Sequence, residues 1–113
     1  MKRFITLLSA GAVALMLSNS VMAGTESPVT AAQIQAAKTP ADHEAIAVAY
    51  DKEAARFDAM AKEHASMSKA YKAAATTQKG MNGAAMGMHC EKLVETYKKA
   101  AEENRQMAAE HRK

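Results

Sequence analysis

A pattern of 22 residues occurs twice in this chain, 47 positions apart. Residues 43–64 read HEAIAVAYDKEAARFDAMAKEH, and residues 90–111 read CEKLVETYKKAAEENRQMAAEH. Eight of the 22 positions are identical, among them Tyr50/Tyr97, Met60/Met107 and His64/His111. The shared positions fall at helical spacing, so one helix design is used twice. Such a repeat constrains the chain to an all-α fold in which two similar helices meet.

Punctuation between the copies sets the layout. Thr39-Pro40-Ala41-Asp42 is a helix start: Thr39 suits the N-cap, Pro40 the first helical position, and Asp42 the capping-box acid. No Gly or Pro interrupts from there to about Gln78. Residues 78–87 hold Gly80, Gly83 and Gly87 and predict the turn. The second helix is expected from about Ala84 or Met86 to Arg112. A short connection makes two helices antiparallel neighbours, so the expected fold is an antiparallel helical hairpin. Residues 24–38 form a polar segment, with Thr30 placed to cap a short helical piece around 31–37.

The inward faces follow heptad rows. The first helix has His43, Tyr50, Phe57, His64 and Tyr71 in one row and Ile46, Glu53, Met60, Met67 and Ala74 in the next. Beside them runs a row of small residues, Ala47, Ala54, Ala61, Ser68 and Ala75, which lets a partner backbone come close. The second helix repeats the design with Cys90, Tyr97, Asn104 and His111, then Met86, Leu93, Ala100 and Met107, then Gly87, Val94, Ala101 and Ala108. A turn centred near residue 82 sets Tyr71 against Leu93, Met67 against Tyr97, Phe57 against Met107 and His64 against Ala100. It brings His111 near Tyr50 and Glu53 and leaves His43 with no opposite number.

The first 23 residues read as a signal peptide rather than as part of the fold. Lys2 and Arg3 precede an uncharged apolar run, Phe4 to Leu17, and Val21-Met22-Ala23 is a small-residue cleavage site. That run is short for a membrane span, and an uncleaved N-terminal anchor is the alternative reading. The expected location is periplasmic or secreted, with no membrane span after cleavage. Two of the 15 basic residues leave with the leader, so 13 stand against 12 acidic ones and the mature balance is +1. A balance so small gives no footprint for nucleic acid. The mature chain has one Leu, two Ile, one Phe and no Trp, a thin core for about ninety residues. Oligomerisation is the natural remedy, and a homodimer forming a four-helix bundle is the expected assembly, with another protein partner as the alternative.

Two constellations bear on chemistry. Met86, His89 and Cys90 share one sector of the second helix's first turn, with Met81 and Met88 alongside. Thioether, imidazole and thiol together suit a soft ion, copper above all. The plain alternative is that Met86 and Cys90 are core residues. The repeated M-A-x-E-H at 60–64 and 107–111 places Met and His one turn apart, a pairing that can hold haem iron; the absence of C-x-x-C-H and the Ala-filled seam favour packing instead. Cys90, as the one cysteine, suggests an intermolecular bridge, a reactive thiol or a buried inert one. No Ser-His-Asp set, phosphate-binding glycine loop or paired carboxylates point to an enzyme.

At T-P-A-D-H-E-A-I-A (39–47), at Met86, His89, Cys90 and Leu93 in M-x-x-H-C-x-x-L, and at M-A-A-E-H-R (107–112), the chain resembles small secreted bacterial helical proteins. The resemblance spans nearly all of 39–112. It implies an exported helical protein and transfers no catalytic residue. The L-T-x-x-Q signature of periplasmic stress chaperones and the cysteine pairs of copper-storage bundles are both lacking.

Overall fold

Two capping boxes and one asparagine cap decide where the helices begin. The computed structural model describes residues 29–80 and 82–113; the leader and residues 24–28 lie outside them. The Thr30 side chain accepts from the Gln33 backbone N–H while Gln33 reaches back to Thr30, starting the six-residue helix α1, Ala31–Ala36. Thr39 starts α2, Pro40–Ala74, by accepting from the Asp42 N–H at 3.1 Å. The Asp42 carboxylate in turn accepts from the backbone N–H groups of Thr39 and Lys38, each at 3.0 Å. Asn82 caps α3, Gly83–His111, through the Ala85 N–H. These caps answer donors that the first helical turn leaves unpaired.

α2 and α3 pack as an antiparallel hairpin. Their seam is made of small residues. Ala47, Ala54, Ala61 and Ser68 of α2 are buried, as are Gly83, Gly87, Cys90, Ala101 and Ala108 of α3. Side chains this short add little between the helices, so the backbones themselves come together and dispersion contacts run along the whole length.

The turn is earlier than the glycines suggest. It occupies residues 75–82, and Gly80 takes a left-handed φ of 87° within it. Gly83 and Gly87 are not turn residues but lie inside α3, where it first meets α2. A Cβ on Gly83 would overlap the Tyr71 carbonyl oxygen and sit 2.8 Å from the Ala75 Cβ, so only glycine fits. With the turn shifted, the register shifts. Tyr97 lies against Phe57 and His64, and His111 lies against His43 as well as Tyr50. His43 therefore does have a partner in its own chain.

The repeat becomes an approximate two-fold axis across the hairpin. Moving 47 positions turns the Tyr50–His111 contact (5.8 Å between ring centres) into the Tyr97–His64 contact (5.3 Å). The ion pair of Asp58 with Arg105 maps onto itself and marks the axis. On one face the rings form a ladder; on the other, one heptad row of each helix carries charge. There Asp51 meets Arg112, Asp58 meets Arg105 and Glu91 meets Lys72. α1 folds beside the start of α2. The residues that flank α1, Val29 and Ala37, pack onto the cluster of Ile46, Ala47 and Tyr50, while Ile34 stays exposed.

Two predictions follow from this geometry. In an unpacked helix Gly→Ala stabilises by about 1 kcal/mol, whereas Gly83→Ala should destabilise the hairpin by about 2 kcal/mol through overpacking, measured by thermal melting. Hydrogen bonds from the Lys38 and Thr39 backbone hold the Asp42 carboxyl below its ordinary range. A carboxylate lowered in the folded state adds stability above its unfolded value and loses it as pH falls through the folded one. The parent should therefore lose melting temperature as acid is added below about pH 4, and Asp42→Asn should flatten part of that fall.

Candidate functional site

The hairpin's two faces differ in kind. The ring-bearing rows His43–Tyr71 and Cys90–His111 flank the seam on one side. Outside them on the same side run the rows that contain Met60 and Met67 on α2, and Met86, Leu93 and Met107 on α3. Antiparallel packing brings these outer rows to a common face, because the rows step away from the seam in opposite senses on oppositely directed helices. Four of the large side chains are open to water: Met67 is 36%, Leu93 38%, Met107 39% and Met86 41% exposed. Near the turn a shallow apolar depression is lined by Met67, Ala70, Tyr71 and Ala74. Glu53 is the polar residue in the α2 row. It binds Arg56, whose guanidinium lies 4.9 Å from the centre of the Phe57 ring, so the pair sits at the edge of the face. Hydrogen bonds from Arg56, aided by its charge, hold the Glu53 carboxyl below its usual range.

The opposite face is a hydrated charge ladder. Arg112 bridges Glu44 at 3.0 Å and Asp51 at 2.8 Å. Hydrogen bonds from Arg112 lower the Glu44 carboxyl, and those from Lys72 lower Glu91. Exposed pairs of this sort add little stability; their role is to set which face turns to water.

The residues read from the sequence as soft-metal ligands are distributed as follows. Cys90 is buried in the seam at 4% exposure, while Met86, Met88 and His89 are exposed. Met81 lies outside the described residues. Among the described residues, no group of three or more His, Cys, Asp or Glu side chains is arranged to hold a metal. Burial of the Cys90 thiol means that a bridge to another chain requires the seam to open. Of the repeated M-A-x-E-H motifs, Met60 is half-buried and Met107 exposed, and each His belongs to the ring ladder. The His64 Nδ1 is buried with no hydrogen-bond partner among the described residues.

One cluster escaped sequence reading. His43 comes from the start of α2 and His111 from the end of α3, and their Nδ1 atoms are 3.1 Å apart. The signal that finds it is the Asn82 cap, which places the turn before Gly83 and so brings the chain's end level with residue 43. No helix among the described residues is long and apolar enough to cross a membrane. No protein-family model, curated protein or solved structure matches this chain, so the site stands on its own geometry.

Proposed function

We propose that this is an exported, non-catalytic helical-hairpin protein that works by pairing with a second copy of itself as a four-helix bundle. The observation that carries the reading is the exposed stripe of Met67, Met86, Leu93 and Met107 beside the ring ladder, set against a charged face behind it. Apolar surface left in water forgoes roughly 25 cal/mol per Å². A seam of Ala and Gly buries little large side chain, so a lone hairpin has reason to cover this stripe. A second copy suits the face better than an unlike partner does. The face nearly repeats itself about its own two-fold axis, and a self-complementary patch is what an isologous dimer requires. The leader pattern of Lys2, Arg3 and the apolar run Phe4–Leu17 supports assembly outside the cytoplasm.

Light scattering coupled to size exclusion on residues 24–113 tests the pairing. A dimer mass at tens of micromolar is expected, and a clean monomer there removes the proposal. Leu93→Glu should weaken the dimer at least tenfold, about 1.4 kcal/mol. Lys98→Glu, on the charged row, should leave the dimer intact.

A further inference from the structure

We propose that His43 and His111 together form a binding site for a divalent transition-metal ion of the zinc class, at the open end of the hairpin. Their Nδ1 atoms approach to 3.1 Å across two helices 68 positions apart in sequence. One Nδ1 donates to the other across this contact in one tautomer; with both rings protonated on Nε2, each Nδ1 carries a lone pair that a cation can take in place of the shared proton. With Zn–N bonds of about 2.0–2.1 Å, a 3.1 Å separation subtends roughly 100° at the ion, near the tetrahedral arrangement zinc prefers. Imidazole is the donor that suits zinc, copper(II) and nickel.

The pair is held in place before any ion arrives. The His111 ring stacks on buried Tyr50, and the capping box of Thr39 and Asp42 fixes the turn that carries His43. The nearby carboxylates are already engaged: Glu44 with Arg112, and Glu110 with Lys113. The protein thus supplies two nitrogens. An open cleft beside them, lined by Lys38, Thr39, Pro40 and Glu44 and by Arg112 and Lys113, whose charges are paired with Glu44, Asp51 and Glu110, leaves the remaining positions to water. This site differs from the Met86, His89 and Cys90 cluster. Twenty-one residues of α3 separate Cys90 from His111, about 30 Å at ~1.5 Å per residue. The two-fold relates His43–His111 to Cys90–His64, but His64 Nδ1 has no hydrogen-bond partner there. Converging nitrogens occur at the open end.

Zinc chloride titrated into residues 24–113, by calorimetry and thermal melting, decides the matter. The parent should bind one ion per hairpin, and its melting temperature should rise with zinc. His43→Ala and His111→Ala should each weaken binding at least tenfold, while His64→Ala and Cys90→Ser stay within twofold of the parent. Circular dichroism checks helicity, and His111→Gln, which keeps bulk and polarity, serves if the alanine variant unfolds. Both ligands come from one hairpin, so Leu93→Glu should bind zinc as the parent does whether or not the dimer exists. No heat at millimolar zinc, or parent-like binding by His43→Ala, overturns the site; loss on Cys90→Ser or His89→Ala instead assigns the ion to the turn end.

Discussion

Close backbone contact along a seam of alanines and glycines is the constraint from which the rest of the hairpin follows. Ala47, Ala54 and Ala61 against Ala101 and Ala108 leave no room for a larger residue at the centre. The bulky groups are therefore displaced to the flanks. On one flank they become a ladder of histidine, tyrosine and phenylalanine with methionine and leucine outside it; on the other, charged stems reach across. A seam of leucines would have separated the helices and let the rings turn inward. Small residues also lose little rotamer freedom on burial, so a core poor in large side chains loses less entropy in forming.

Much of this was legible in the sequence, and the parts that were not share a cause. Thr39-Pro40-Ala41-Asp42 marks a start because each residue answers a backbone group at a helix end, and α2 begins there. The small rows were visible as rows because heptad spacing survives in both copies. Gly83 was read as a turn residue, while Gly87 already stood in the small row of the second helix. A glycine demanded by two touching backbones is the same letter as a glycine demanded by a turn, and only the neighbouring helix distinguishes them. That one ambiguity moved the turn and slid the register; the Tyr50–His111 contact survives the slide, while Phe57 and His64 meet Tyr97 and His43 gains His111. The residue that anchors the N-terminal segment was not legible for a different reason. Ile34 is the one large apolar residue of α1, yet Val29, just ahead of the cap, is the anchor.

The two faces would divide the labour between contact with water and the pairing proposed above. Ion pairs at Asp51, Asp58 and Glu91 add little energy in water, but they define a surface that has no reason to be covered. The ring ladder is the more structured side. It ends at the open mouth of the hairpin in a histidine pair and lies, along its length, beside flexible thioethers that adapt to whatever packs on them. Association and metal binding would thus draw on adjoining parts of one face without sharing a ligand.

Because α2 and α3 are near copies, each helix can satisfy the other's surface from a different chain as well as from its own. Only the eight-residue connection at 75–82, with Gly80 in its left-handed bend, ties a helix to its own neighbour. Straightening that bend would yield two chains with exchanged arms and the same seam twice over, a route to intertwined pairs that costs little beyond the hinge.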